Sequence, residues 1–392
     1  MPSILVGPPQ RLPKMRQGMS IVTVTSQARF PGSYRSSQAA SGHDRPLGNT
    51  PDTMAPVTEW GRGLEVHCRM TIRWEGFLLL LCGAVALASG HDGVPDSMAW
   101  AYLHTATGVA LPDPPPDAVI RVAGSPLELS GAQFNAMVDN PDWFPDDHPA
   151  MPDVVAKSRP AGGIACADCH LPNGLGHLGT AVLAGLPAPY LIEQLNAFRD
   201  DLRQSAERRL HHTRKMNIVA KGLAADDVIV AADYFSRLPA RPWVRVVEAD
   251  SVPRTSIDPD NWLNRALGGA LEPIGRRIVE LAENEYRMSI SDPTSGIIAY
   301  VPIGSIQRGD SLAHTGTPQR AACTTCHGPD LHGVGAVPGI AGQMPSYLAR
   351  QLWDIRSGSR HGDSVAPMRE VIRTLKPSEI VALAAYLGSL QP

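Results

Sequence analysis

The sequence predicts an all-α fold in which two similar helical domains follow one another. Two observations support this prediction. The pentapeptide Cys-x-x-Cys-His occurs at residues 166–170 and again at residues 323–327. A helical pattern of apolar residues follows each pentapeptide at the same separation, 157 residues, as the cysteines themselves. The predicted order is a loop-rich N-terminal extension, a first domain, an inter-domain insert and a second domain, over residues 89–152, 153–239, 240–304 and 305–392.

Two segments at the N-terminus are predicted to lie outside the fold. Residues 1–69 scatter Pro, Gly, Ser and Arg without an apolar period, which indicates disorder or an over-extended upstream reading frame. Residues 70–88 have the pattern of a secretory signal peptide, with a positive start at Arg73 and a 12-residue apolar run at 77–88. A membrane-spanning helix needs about 20 residues, although an uncleaved anchor is an alternative. We therefore expect Met70 to be the true start, export to the periplasm, and no membrane span in the mature protein.

The repeated pentapeptide is the attachment signature of c-type haem. Its two thiols can add across the two vinyl groups of a haem, and the imidazole of the next residue can ligate the iron. A zinc ribbon needs its two knuckles about 15–20 residues apart, and these pairs are much farther apart. A thioredoxin-like pair needs a βαβ setting, and the flanks here are helical. The sequence therefore predicts two covalent haem c groups on Cys166, Cys169, Cys323 and Cys326, with His170 and His327 as proximal iron ligands.

Composition agrees with bound macrocycles. Hydrophobic residues make up 43% of the chain but aromatic residues only 5%, so a buried haem would supply part of each core. The predicted mature part, residues 89–392, contains 26 Lys and Arg residues and 33 Asp and Glu residues, and this difference of −7 argues against a nucleic-acid partner.

A repeat of helices follows the pentapeptides. The pattern Tyr-Leu-x-x-Gln-Leu begins at Tyr190 and again at Tyr347, and apolar residues continue at i, i+4 and i+7. A final helix is predicted in each domain, although Ala224 and Lys376 at the expected N-caps are poor capping residues. Their apolar positions are Val228, Ala232 and Phe235 in the first domain, and Ile380, Ala384 and Leu387 in the second.

Met216 and Met368 are predicted to be the distal iron ligands. Each precedes the final helix of its domain at the same relative place, 152 residues apart. A thioether ligand closes the iron site and raises the reduction potential, which suits electron transfer. A core-filling role is the alternative for any single Met. The neighbouring His211, His212 and His361 are weaker alternatives, and Met344 is another, although it aligns with Pro187.

The extension and the insert are the least regular parts of the chain. The extension is predicted to be wrapped loop and short helix, in which the aromatic residues at 100–102 and 142–145 pack, with coverage of the first haem edge as the alternative. In the insert, residues 262–271 and 274–283 are predicted as short helices and 297–301 as a strand or extended connector. Residues 305–315 are predicted as the helix that leads into the second pentapeptide, with 153–159 as its shorter counterpart.

The order of these features resembles a class I cytochrome c, twice over. Cys-x-x-Cys-His, Ala-Gly, Tyr-Leu-x-x-Gln-Leu, a lone Met and a Tyr-containing last helix are most similar to the dihaem cytochromes of the c-four type. The resemblance covers about 153–239 and 305–392, and implies two cytochrome c domains in tandem. It implies haem attachment at the four motif cysteines and the axial pairs His170/Met216 and His327/Met368. The long extension and insert depart from the simple carriers, so close haem-to-haem packing does not follow from the resemblance.

The function expected from the sequence is single-electron transfer between redox proteins, without enzymatic chemistry of its own. The expected partners are a respiratory complex, a dehydrogenase or a terminal oxidase. One alternative is an electron-transfer subunit of a larger dehydrogenase or oxidase. A dihaem peroxidase is a second alternative, which the Met in both copies disfavours because a peroxidase needs an open iron position.

Overall fold

A computed structural model describes residues 93–159, 163–260 and 263–392. The predicted upstream segment, the signal peptide and Trp262 lie outside the described residues. Within those three ranges, no helix is both long and apolar enough to cross a membrane. We call residues 153–239 the first copy and residues 305–392 the second copy; these boundaries stay predictions.

The described part of each copy contains the predicted helices before the pentapeptide, after it and at the end of the copy, together with unpredicted helices at the pentapeptide itself and around the methionine. In the first copy, they are α2 (Asp153–Ala156), α3 (Cys166–His170), α4 (Ala188–Arg199), α5 (His211–Gly222) and α6 (Ala225–Ser236). In the second copy, they are α8 (Ser305–His314), α9 (Thr324–His327), α10 (Pro345–Arg356), α11 (Ala366–Ile372) and α12 (Pro377–Ser389). The apolar positions predicted for the two final helices are all buried.

The final helices begin where the sequence shows poor capping residues. In α6, the Asp227 carboxylate accepts the backbone N–H of Ala224 at 3.3 Å. In α12, the Glu379 carboxylate accepts the N–H of Lys376 at 2.8 Å. An acid at the third helical position thus satisfies one free N–H group and also suits the helix dipole.

The two copies differ in the helix that precedes the pentapeptide. In the second copy, α8 packs along α12 through small residues at Ser305, Gly309 and Ala313, which are all buried. A Cβ on Gly309 would collide with the backbone of Ala382, so only glycine allows this approach. The counterpart in the first copy, α2, has only four residues.

The insert corrects the all-α prediction, because it is mainly β-structure. The predicted helices over 262–271 and 274–283 are wrong, whereas the strand at 297–301 is present. Gly268 and Gly269 both have positive φ values, near 70°, which a helix cannot accommodate. The strands are β3 (Val244–Ala249), β4 (Ser251–Ile257), β5 (Asn264–Pro273), β6 (Val279–Ala282) and β7 (Ile297–Pro302).

These strands form two small sheets. The first has the order β3-β7-β6, in which β3 and β7 are parallel and β6 and β7 are antiparallel. The second is the antiparallel pair β4-β5, with a register shift between Pro253 and Thr255. Ile297, at the start of β7, packs with the core of the first copy, and Ala299 and Val301 pack with that of the second. The central strand therefore contributes to both cores. A short helix, α7 (Glu285–Ser289), connects β6 to β7.

The extension is largely loop, as predicted. It contains a 3-10 helix (Asp96–Ala101), the strand pair β1 (Val119–Arg121) and β2 (Glu128–Ser130), and the helix α1 (Gly131–Asn135). Trp143 is 1% exposed, and its indole N–H donates to the Ile290 carbonyl at 2.8 Å. This aromatic residue anchors the extension to the insert, and it does not line either cavity described below.

Candidate haem-binding cavities

Each pentapeptide opens onto a cavity that its own copy lines mainly with apolar side chains. The first cavity contains Cys166, Cys169, His170 and Met216 in its lining. The second contains the matching set: Cys323, Cys326, His327 and Met368. The structure thus brings the eight predicted site residues together as two sets of four, each on one cavity.

The two motif histidines are oriented in the same way. His170 Nδ1 lies 3.1 Å from the carbonyl oxygen of Ala181, and His327 Nδ1 lies 2.8 Å from that of Pro338. Because a carbonyl only accepts, each Nδ1 carries the proton and donates it. Each Nε2 therefore keeps its lone pair, which is the arrangement that an iron-ligating imidazole needs.

Burial keeps both imidazoles neutral. It lowers the pKa of His170 to about 4, against the raising effect of the Ala181 carbonyl. Burial also lowers the pKa of His327. A neutral imidazole at pH 7 is the form that binds a metal.

The motif cysteines have pKa shifts opposite to those of redox-active thiols. Burial raises the pKa of Cys166 to about 12 and also raises that of Cys169 and Cys323. Reactive cysteines instead have lowered pKa values, because the thiolate is the nucleophile. The four thiols are free of disulfides. This electrostatic setting does not favour a thioredoxin-like role.

Met216 lies on α5 and Met368 lies on α11, each on the wall of the cavity that holds its motif histidine. Met344 is fully buried in the core of the first copy and lines neither cavity. Of the alternative histidines, His212 lines the first cavity, whereas His211 and His361 line neither. Iron ligation by Met216 and Met368 stays a prediction.

The cavities fit a haem by their donor sets and their apolar surfaces. In the first cavity, Leu183, Leu191, Phe198 and Phe235 surround the motif. In the second cavity, Arg360 is buried and its Nε has no hydrogen-bond partner among the described residues. A buried guanidinium N–H without a protein partner suits a carboxylate such as a haem propionate.

A shared wall separates the two cavities. Five side chains line both of them: Leu186, Tyr190, Gln194, Tyr347 and Gln351. Three come from the first copy and two from the second, on or next to α4 and α10. The two cavities are therefore neighbours, although the sequence left their separation open.

Two buried arginines connect the copies across this wall with matching hydrogen bonds. Arg203 donates to Gln194 at 2.9 Å, to Gln351 at 2.9 Å and to Tyr347 at 3.0 Å. Arg360 donates to Gln351 at 2.8 Å, to Gln194 at 2.8 Å and to Tyr190 at 3.4 Å. Each guanidinium thus binds both glutamines and the tyrosine of the other copy.

Sequence reasoning did not select Arg203 or Arg360 from the many arginines near the methionines. A signal was present, because these two residues are separated by 157 residues, as the cysteines are. It also missed Arg350 and Asp354, which belong to the second copy but line the first cavity. No spacing rule predicts that these residues of the second copy line the first cavity, because their location depends on how the copies pack.

Comparisons with known proteins agree with this geometry. Residues 308–391 match the family profile described as Cytochrome c. The thiosulfate dehydrogenase electron acceptor of Thiomonas intermedia (strain K12) is 27% identical over 238 residues, which are 59% of this chain and 81% of that protein. Cytochrome c4 of Stutzerimonas stutzeri is 31% identical over 138 residues, which are 31% of this chain and 65% of that protein. The match thus spans just under two thirds of that cytochrome.

Two solved structures match this chain with TM-scores below 0.5. Thiosulfate dehydrogenase (TsdBA) from Marichromatium purpuratum matches with a TM-score of 0.41 and 29% identity, over 61% of this chain and 39% of that one. Cytochrome c4 from Acidithiobacillus ferrooxidans matches with a TM-score of 0.37 and 22% identity, over 57% of this chain and 98% of that one.

Proposed function

We propose that this chain is an electron-transfer cytochrome of the dihaem class I type, which carries single electrons between redox proteins through two haem c groups in tandem cytochrome c domains. The observation that carries this proposal is the repeated set of two cysteines, a histidine and a methionine on one apolar cavity. The chain has no substrate chemistry of its own in this proposal.

The protein residues have distinct roles in the proposed carrier. The four motif cysteines would hold the haems covalently, His170 and Met216 would ligate the first iron, and His327 and Met368 would ligate the second. Each haem, when bound, supplies an iron that alternates between Fe(III) and Fe(II). The carbonyl oxygens of Ala181 and Pro338 fix the imidazole tautomers. The apolar walls limit water access, which favours the less charged Fe(II) form and raises the potential.

The shared wall supports transfer between the two centres. Because the same side chains line both cavities, an electron would cross only this wall to pass from one haem to the other. The reciprocal bonds of Arg203 and Arg360 hold the two copies in one arrangement. Arg203 lines the first cavity and Arg360 lines the second, so their positive charges would be available to haem propionates.

The first haem is the proposed entry point for an acidic partner protein. Residues 208–222 contain five cations and no acid, although the whole chain has a net charge of −3. Two of these cations, Arg209 and Lys221, form ion pairs with Glu207 and Asp201 outside that range, which leaves Arg208, Arg214 and Lys215. The equivalent residues 360–374 contain three cations and two acids, and one of those cations, Arg360, is buried. The Lys215 ammonium lies near Cys169 and lowers its pKa against the effect of burial. Complementary charge of this kind accelerates association.

The relatives suggest the class of this partner. Two proteins named thiosulfate dehydrogenase electron acceptor, each 27% identical to this chain over the aligned residues, support a dehydrogenase as the electron donor. The signal-peptide pattern at 70–88 separately supports export to the periplasm. An electron-transfer subunit of a dehydrogenase complex is the second candidate function, and the extension and the insert would then supply surface for assembly.

Haem content and iron spectra test the carrier. A pyridine haemochrome assay should give two covalent haems per chain, and the oxidised protein should show two low-spin irons. Met216→Ala and Met368→Ala should each convert one iron to a high-spin or ligand-accessible state. Met344→Leu, a volume-conserving change outside both cavities, should leave both spectra unchanged. Fewer than two haems, or a high-spin iron in the unsubstituted protein, would contradict the proposal.

Charge substitution tests the docking surface. Arg214→Glu should slow electron transfer from an acidic donor protein by about tenfold at low salt, and the difference should shrink as ionic strength rises. Arg369→Glu, on α11 of the second copy and also exposed, is the matched control and should change the rate much less. Equal effects of the two substitutions would contradict docking at the first haem. Co-purification from the native membrane and periplasmic fractions distinguishes a free carrier from a subunit.

A further inference from the structure

A buried carboxylate of the second copy lies on the wall of the first cavity. Asp354 lies on α10, is 2% exposed, and forms part of the lining of the first cavity. Arg350 precedes it by one helical turn and lines the same cavity. The lining of the first cavity therefore includes one carboxyl group and one guanidinium group from the second copy.

Asp354 is held by parts of the chain that are far apart in sequence. Its Oδ1 accepts the hydroxyl of Tyr102 in the extension at 2.8 Å and the backbone N–H of Ala206 in the first copy at 2.8 Å. Arg350 donates to the carbonyl of Ala101 at 3.0 Å, beside Tyr102. The carboxylate thus joins the extension, the first copy and the second copy at the edge of one cavity.

The charged and titratable groups that face Asp354 favour its ionised form, but burial opposes them. Burial is the largest influence and raises the pKa of Asp354 to about 6. Four neighbouring groups lower this pKa: the N–H of Ala206, the hydroxyl of Tyr102, Arg350 and Arg203. Arg360 also lies near enough for Asp354 to raise its pKa. Tyr102 itself has its pKa raised by burial and by Asp354, so it stays a neutral donor.

We propose that Asp354 couples a proton to the electron carried by the first haem, so that the potential of this centre alone falls as pH rises through the neutral range. This inference rests on the proposed haem in the first cavity. When a one-electron donor protein reduces the first haem, one proton from water binds the Asp354 carboxylate. When an acceptor protein removes the electron, the proton returns to water.

The sign follows from electrostatics. An ionised Asp354 stabilises the more positive Fe(III) form, so reduction is easier when the carboxyl group is protonated. If the coupling is complete, the reduction equilibrium changes tenfold per pH unit, which is about 59 mV for a one-electron couple. The potential is therefore highest below the carboxyl pKa of the oxidised protein, and becomes constant again above that of the reduced protein.

The repeat explains why only one centre is affected. The position in α4 that is equivalent to Asp354 is Ala197, 157 residues earlier, so the second cavity receives no matching buried acid. The first copy contributes one acidic residue, Glu193, to the lining of the second cavity, at the repeat position that Arg350 occupies in the second copy. Glu193 is partly exposed, so water screens its charge. The proton-coupled effect is thus a property of the way in which the copies pack.

Asp354→Asn is the decisive variant, because both observed hydrogen bonds go to a single oxygen that an amide retains. Potentiometric titrations of the two-haem protein from pH 5 to 8 should show one pH-dependent and one pH-independent potential. The Met216→Ala variant identifies the first haem, because its potential should shift. In Asp354→Asn, both potentials should be independent of pH over this range, and that of the first haem should stay at its high, acid-limit value.

Two further variants separate proton coupling from a structural role. Tyr102→Phe removes a donor that favours the carboxylate, so the pH-dependent step should move to higher pH without disappearing. Asp292→Asn removes a carboxylate that is equally buried but lines neither cavity, and should leave both pH profiles unchanged. A pH dependence that survives in Asp354→Asn would overturn the inference. A haemochrome count below two would instead overturn the proposed function.

Discussion

The glutamines of the shared wall offer a direct test of what joins the two copies. Gln194 is 6% exposed, and its side-chain oxygen accepts one bond from Arg203 at 2.9 Å and one from Arg360 at 2.8 Å. Gln194→Leu keeps a side chain of similar size but removes both acceptors. Each guanidinium then loses one of its three side-chain partners in a buried position.

The expected loss of stability is large for a single substitution. A hydrogen bond to a charged group contributes about 1.5–3 kcal/mol, so two such bonds contribute about 3–6 kcal/mol. Gln351→Leu should have a similar cost, because Gln351 accepts from the same two arginines at 2.9 and 2.8 Å. Since both glutamines share these partners, the double variant should depart from additivity by more than about 0.5 kcal/mol.

Urea unfolding of the haem-loaded protein, followed by circular dichroism and extrapolated to water, measures these free energies. Gln307→Leu is the control, because Gln307 is exposed on α8 and its side chain forms no hydrogen bond among those found in the described ranges. It should change the free energy of unfolding by no more than about 0.5 kcal/mol. A cost below about 1 kcal/mol for Gln194→Leu, or strict additivity with Gln351→Leu, would refute the reasoning.

Two other predictions concern the edges of the fold. Burial lowers the pKa of His148, but hydrogen bonds to Asp142 and to a backbone carbonyl raise it above its usual value overall. The stabilising effect of protonated His148 should therefore be complete below about pH 6.5 and disappear as pH rises through the folded-state pKa. The His148→Gln substitution should cost more stability at pH 5.5 than at pH 8.5. An equal cost at both pH values would contradict the ion pair. Gly309→Ala should destabilise the α8–α12 contact by about 1–3 kcal/mol in the same urea assay. Gly222→Ala, where a Cβ meets no atom within 4 Å, should be neutral or slightly stabilising, and similar costs at both glycines would show that α8 can move away.

The helices of the two copies were predictable because their local and tertiary preferences agree. The stripes Val228, Ala232, Phe235 and Ile380, Ala384, Leu387 are apolar at helical spacing, and each faces a core. Within the insert, the helices predicted over 262–271 and 274–283 were wrong because these short apolar runs suit a helix or a strand equally well. Strands form there because Gly268 and Gly269 have positive φ values and because β6 pairs with β7. Strand pairing is a non-local property, which a short stretch of sequence does not show.

Some residues of the candidate site were likewise predictable from the sequence, and others were not. The motif histidines and cysteines follow from a spacing that one turn of backbone imposes, and the methionines follow from a repeat. Arg203 and Arg360 carried the same repeat signal, but their role required knowledge of which side chains face the wall. Sequence alone could not show that their partners lie in the opposite copy.

The amino-acid sequence by itself predicted which residues would attach and ligate two haems, because that chemistry depends on residue type and on short-range spacing. It also determined that the two sets are equivalent, through the constant separation of 157 residues. Only the tertiary structure decided that the cavities share a wall and that the first one alone receives a buried acid. The physical reason is that burial and hydrogen-bond partners are set by the packing of the copies against each other, which no local pattern encodes.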